Sequence, residues 1–265
     1  MEPPSREARV MRALRLTWSS AWQEARANRS SFWFQVAIMV VNDLVWIVFW
    51  ALFFNRVDQV RGWDLDQVIV LFAVLTTSAG LVLGLMSNVR RIGELVSSGG
   101  LDAVLVLPVP PLSHILSRRV ETVHVGDVFF GPLLFALAGH PNPTRTAVFV
   151  FGVVCATLIL CGFLVVMGST AFLLGRNEAA DLGFHAVLLF SSYPVDLYGA
   201  MTRVFLYAVI PAAFVTSVPA RLVEHFSPGW AAATAAVAVV VAGLGLAAFT
   251  AGLRRYTSGA AWSSA

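Results

Sequence analysis

The chain has 265 residues, 58% of them hydrophobic and only 12% Asp, Glu, Lys or Arg, about half the charged share of ordinary soluble domains. With a mean hydropathy of +0.76, so few charges cannot dress a water-facing surface, and the solvent is mainly lipid. All 18 basic residues are arginine; without lysine the chain has no Schiff-base chemistry, no pyridoxal phosphate attachment and no Walker-type ATP site of its own.

The net charge of +3 does not point to nucleic acid, because the arginines fall in pairs along the chain rather than in one basic domain. Cys155 and Cys161 lie inside one apolar run and read as small packing residues rather than a redox pair. Mostly polar residues fill positions 1–29 before the first long apolar run, which is not the pattern of a cleavable signal peptide.

Taken in order, residues 5–29 combine six arginines with an apolar stripe of Val10, Leu14, Trp18 and Trp22, widened by Ala13, Thr17, Ala21 and Ala25. This spacing predicts an amphipathic helix lying in the membrane interface; a solvated helix packed on a partner is the alternative. A first spanning helix is predicted over 31–54, long enough for the ~30 Å hydrocarbon layer at 1.5 Å per residue. A second follows over 67–86. The third, over 120–138, stops at His140-Pro141-Asn142-Pro143, a strong turn sequence. The fourth covers 147–174 and ends at Gly175-Arg176-Asn177.

Residues 179–198 form one apolar stretch, and 200–218 form another that is interrupted by Pro211 and closed by Pro219. Two full spans here would give seven helices. One span over 179–198 and a re-entrant hairpin over 199–218 give six, with the last span at 230–253 and a short cytoplasmic tail at 257–265. Arginine placement chooses the second arrangement. Six spans leave only Arg56, Arg61, Arg145, Arg203 and Arg221 outside and put the other thirteen in the cytoplasm, whereas seven would strand Arg254 and Arg255 outside, against the positive-inside bias. The expected fold is therefore all-α and polytopic: an interfacial helix over 1–29, a six-span domain over 30–256, and both termini cytoplasmic. No internal repeat stands out.

Two sets of polar residues lie within the spans. Asn42 and Asp43 fall near the middle of the first, where an ionisable group costs about 2.5–3.5 kcal/mol on insertion scales and normally faces protein or water. Asp43 lines a substrate path, relays protons, or makes a hydrogen-bonded interhelical contact. Glu121, His124 and Asp127 open the third span at three-residue steps, so neighbours are adjacent while the set drifts around the helix. That drift suits a polar helix–helix seam better than a metal site, and no further His or Cys supplies ligand spacing. There is no HExxH and no GxSxG. The small residues Gly80 and Gly84, and Gly243, Ala247 and Ala251, permit close helix approach, within one subunit or between subunits.

The segment 88–119, NVRRIGELVSSGGLDAVLVLPVPPLSHILSRR, is too interrupted to span and too apolar for a free loop. Its arginines, paired glycines and prolines punctuate short helices with Leu and Val faces. It reads as a lever between two spans and a soluble partner.

At this point the chain resembles a known family along nearly its whole length. The pattern includes Arg90, Arg91, Glu94, Leu95, Gly100, Leu101, Asp102, Leu105, Pro108 and Val109 in the polar segment, then Gly126-Asp127 and Gly175-Arg176. It continues through Ser192-Tyr193-Pro194, Ile210-Pro211 and Pro219-Ala220 to Gly252-Leu253-Arg254-Arg255-Tyr256. These pieces, in this order, resemble an ABC transporter permease of the type-2 exporter class, in the bacterial branch of six-span subunits. The resemblance implies that 88–119 holds a coupling helix seated in a cytoplasmic ABC ATPase, and that Pro194, Arg203, Pro211 and Pro219 belong to the re-entrant hairpin between spans five and six. It also implies two ATPase copies that hold ATP and Mg, a second permease, identical or different, and residence in a bacterial inner membrane among its lipids. The chain itself is then no enzyme and carries no cofactor. Two other readings remain open: a polytopic enzyme acting on lipid or peptide through Asp43, Glu121, His124 and Asp127, and a non-transport scaffold subunit.

Overall fold

The computed structural model describes residues 6–175 and 178–257; Arg176 and nearly all of the predicted 257–265 tail lie outside them. Helix α1 covers Arg6–Ala25. Asn28 then caps α2, Arg29–Phe54, its side chain accepting from the Ser31 N–H at 3.1 Å, which satisfies one of the orphan donors of the first turn. Helix α3, Leu65–Ala79, opens on a capping box between Asp64 and Gln67 and runs on through a π turn at Gly80–Leu85. The polar segment holds a 3-10 turn, Ser87–Arg91, and the short helices α4 (Ile92–Ser97), α5 (Asp102–Leu105) and α6 (Pro111–Ser117).

Helix α7 is Thr122–Ala138, and α8 is Pro143–Ser169, capped by Asn142 and extended by α9, Ala171–Leu174. Gly175 ends it in the left-handed conformation, φ 65°, which costs glycine nothing. Then come α10 (Glu178–Ser191), a 3-10 turn at Val195–Leu197, α11 (Ala200–Ala208), a π turn at Ala213–Ser217, α12 (Val218–Glu224) and α13 (Pro228–Leu253). Among the described residues there is no strand, only an isolated bridge between Val60 and Trp63.

Among the described residues four helical stretches are long and apolar enough to cross a membrane: Arg29–Phe54, Leu65–Leu85, Pro143–Leu174 and Pro228–Leu253. The number rises to six if each bent pair counts as one span, Pro111–Ser117 with Thr122–Ala138 at 82° and Ala200–Ala208 with Ala213–Glu224 at 78°. The second and fourth predicted spans form the core, 89% and 72% buried, whereas the first and last, 11% and 22% buried, lie outermost. Apolar surface on those outer helices, such as Phe34, Val45, Val240 and Leu246, belongs against hydrocarbon.

Small residues set how closely the core helices approach. A Cβ on Gly80 would lie 2.6 Å from the Val128 nitrogen of α7, and one on Gly162 would lie 2.7 Å from the Val241 carbonyl oxygen of α13. Gly80 and Gly84 thus serve packing within the subunit. On α13 the close contacts are made by Gly245, which meets Gly162, and by Gly252, which meets Phe172, while Gly243 faces open space. The hydroxyls of Thr76, Thr77 and Ser78 bond back to carbonyls of their own helix, so the buried α3 leaves none of these donors unpaired.

Several boundaries differ from expectation, and the fourth span begins at Pro143 rather than 147. The third span begins at Thr122, because the Glu121 N–H donates to the Gly84 carbonyl at 2.8 Å and turns the chain sharply from α6. The fifth apolar stretch holds only the 14 residues of α10, about 21 Å of helix, with the 3-10 turn continuing to Leu197. Pro219 does not close the following stretch, which runs on to Glu224. It stands directly after the π turn, inside the continuous helical run Ala213–Glu224, where its missing N–H leaves a carbonyl of the preceding turn without its usual helical donor.

Candidate functional site

The polar segment is anchored at its base. Ser87 donates its hydroxyl to the Arg119 carbonyl at 3.0 Å, and the Glu121–Gly84 bond closes the same neck. Ile92 of α4 presses on Gly168 of α8. The Arg90 guanidinium lies 3.9 Å from the Phe184 ring centroid of α10, a cation–π contact. Arg91 grips Glu94 through two bonds of 2.9 and 3.1 Å, and this hydrogen-bonded guanidinium holds the Glu94 carboxyl below its ordinary range. A crevice of about 280 Å³ lies beside this contact, lined by Arg90, Arg119 and Glu121 and by Asp181 of α10.

Beyond the base, Gly99 turns the chain at φ 76°, a conformation that L side chains rarely adopt. Leu101 and Val104 fold inward, fully buried, while Leu105, Val106 and Leu107 point outward, with Val106 81% exposed. Pro108 and Pro110 are exposed too, and Val109 is buried. The predicted set therefore divides. Arg90, Glu94, Leu105 and Pro108 lie at the surface; Leu95, Gly100 and Asp102 are half-buried; Leu101 is internal support. Val106 and Leu107 were missing from the sequence-based set, though they continue the same apolar run. Pattern alone does not separate inward from outward residues on helices this short.

The intramembrane residues also divide. Asp43 of α2 and Asp127 of α7 are both buried and face each other, and His124 Nδ1 lies 3.0 Å from Asp127. One oxygen of each carboxyl, Asp43 Oδ2 and Asp127 Oδ1, has no hydrogen-bond partner among the described residues. Asn42 is exposed, and Glu121 sits before the helix, 3.5 Å from Arg119. Close by, the Thr122 hydroxyl bonds to Gln35, a second polar link between α2 and α7. Among the described residues no three His, Cys, Asp or Glu side chains converge as a metal site. Cys155 and Cys161 are unbridged.

At the opposite end of the bundle Asp196 gathers its neighbours. It accepts from the Trp63 indole at 2.9 Å and pairs with Arg221 at 2.7 Å and Arg203 at 3.5 Å. Arg61 donates to the Asp196 carbonyl at 2.8 Å, and Arg145 pairs with Glu224. Tyr193, from the same stretch, packs its ring against Trp46 and Trp50 of α2. Pro194 leads into the 3-10 turn, and Pro211 breaks the chain between α11 and the second π turn. Four of the five arginines assigned to one side by sequence thus meet at one end, while Arg90, Arg91, Arg118 and Arg119 cluster at the other. Asp196 was not singled out from sequence; a lone acid among apolar neighbours gave no sign of three arginine partners, two of them, Arg61 and Arg221, distant along the chain.

Fold and site together define a polytopic, all-helical membrane protein with a structured polar segment projecting from one end. The family follows from comparison: the model for ABC-2 family transporter proteins matches residues 40–260, and the chain belongs to that family. Proteins of this family are membrane components of transporters, without an ATPase site of their own, and work with an ABC ATPase. No curated protein and no solved structure matches the chain.

Proposed function

We propose that the chain is the permease subunit of an ATP-driven exporter and that residues 88–119 receive the work of a cytoplasmic ATPase. The observation that carries this reading is the apolar tip Leu105–Leu107, exposed beyond a base whose neck is closed by hydrogen bonds where α3 ends and α7 begins, and which packs against α8 and α10. An exposed apolar knob on a rigid base suits a groove in a soluble partner. Two ATPase copies hold ATP and Mg, and a second permease, identical or different, completes the path. ATP-driven closure of the ATPase pair pushes the tip, and the base passes the displacement to α3, α7, α8 and α10. Energy enters as the partner's differential affinity for two permease states.

In this reading α1 lies in the cytoplasmic interface with Trp18 and Trp22 stacked on one face. Both termini are cytoplasmic in a bacterial inner membrane, and α10 completes the fifth crossing. The 200–224 stretch re-enters from the outer side. Its two arms both connect to the outer polar cluster, through Arg203 at one end and Arg221 and Glu224 at the other. Asp43, His124 and Asp127 form a polar seam between the first and third spans.

Replacing Val106 by Asp tests the docking surface. Loss of a buried interface anchor of about 2 kcal/mol corresponds to roughly thirty-fold weaker capture of the ATPase, measured by co-purification of the two subunits from membranes. Unchanged capture, with the permease folded, sinks the assignment. Leu101 is the wrong residue for this test, because its buried side chain supports the segment itself.

A further inference from the structure

A groove of about 900 Å³ runs between α2 and α7 and is closed at one end by the last turn of α1. Val36, Val40 and Leu44 form one wall, and Phe129 and Leu133 the other. Arg26 and Arg29 stand at the α1 end with Trp22 beside them. Both arginines are exposed, and among the described residues no carboxylate pairs with either. From Arg29 to Leu44 the wall rises about 22 Å, enough to cross one leaflet of the ~30 Å hydrocarbon layer. The groove therefore has one cationic mouth at the helix ends and an apolar bed of leaflet depth.

We propose that this groove binds an anionic phospholipid, with its phosphate held by Arg26 and Arg29 and an acyl chain lying along Val36, Val40 and Leu44. Guanidinium groups donate pairs of charge-assisted bonds to phosphate oxygens, and Trp22 sits at the depth where indole rings favour the headgroup boundary. A second copy of the chain suits the groove less well: a two-fold contact there would bring another Arg26 and Arg29 to the same interface. The site is separate from the Leu105–Leu107 tip and needs no ATPase, so it stands or falls independently of the coupling proposal.

The test uses the purified full chain in detergent, titrated with dioleoyl phosphatidylglycerol or dioleoyl phosphatidylcholine and followed by native mass spectrometry. Phosphatidylglycerol is expected to be retained in preference. At about 1 kcal/mol per arginine, R26Q or R29Q alone weakens retention about five-fold and the double variant about thirty-fold. R254Q/R255Q, a basic pair remote from the groove, leaves retention unchanged. Leu44→Trp fills the bed and lowers retention with both arginines intact, which separates the groove from a general surface attraction. Equal retention of the two lipids, or full retention in R26Q/R29Q, overturns the proposal. So does a disulfide between two copies of a Leu44→Cys variant in membranes, which assigns the groove to a second chain.

Discussion

At the scale of single residues, the absence of a side chain decides as much as its presence. A Cβ at Gly131 would lie 2.5 Å from the Ala73 carbonyl oxygen of α3, whereas one at Gly243 meets nothing within 4 Å. Gly131→Val is therefore expected to lower stability by about 1–3 kcal/mol or more, since overpacking forces the helices apart. Gly243→Ala is expected to be neutral or slightly stabilising by helix propensity. Thermal melting of the two variants in one detergent checks the contrast. Asp43 and Asp127 illustrate the complementary case. Each is buried opposite the other, and neither residue alone announces its partner in sequence, since the pairing depends on the rotation of α2 against α7.

At the scale of elements, the polar segment holds its shape through contacts to the surrounding helices rather than through its own propensity. Helix α4 has six residues and α5 four, too short to be stable in isolation. Their order comes from Ile92 against Gly168, from Arg90 over Phe184 and from the neck at Ser87 and Glu121. Arg90→Ala is expected to remove a cation–π contact of about 1 kcal/mol and to speed hydrogen exchange in α4 by about five-fold. Unchanged protection in α4 shows that the contact does not hold the segment. The exposed Arg91–Glu94 pair adds little to stability. With the Glu94 carboxyl lowered, its contribution is present at neutral pH and is lost only as pH falls through that lowered value.

At the scale of the whole molecule, charge sorting and packing agree on two ends. Arg61, Arg145, Arg203 and Arg221 find Asp196 or Glu224 at one end, and the segment carrying Arg90, Arg91, Arg118 and Arg119 closes the other. The re-entrant reading of 200–224 makes a direct expectation. In a chain with Cys155 and Cys161 replaced by Ala, a cysteine at Phe226 reacts with a membrane-impermeant maleimide from outside the cell, and one at Ser98 reacts only after the membrane is opened. A seven-span chain would place position 226 inside, so protection of F226C in intact cells rejects the hairpin.

Composition and arginine placement by themselves established a lipid-solvated, all-helical chain. The ordered motifs of the polar segment and the later helices gave the resemblance to the family that comparison then showed. These properties are legible because hydropathy and positive charge act through the bilayer, a solvent that every span meets in the same way. Tertiary structure decided the rest. It shortened the fifth stretch to α10, carried the following one past Pro219 to Glu224, turned Leu101 inward and Val106 outward, and drew three arginines to Asp196. Each of these outcomes depends on which helix lies beside which and at what rotation. Close contacts between distant residues fix that arrangement, and the periodicity of no single helix contains it.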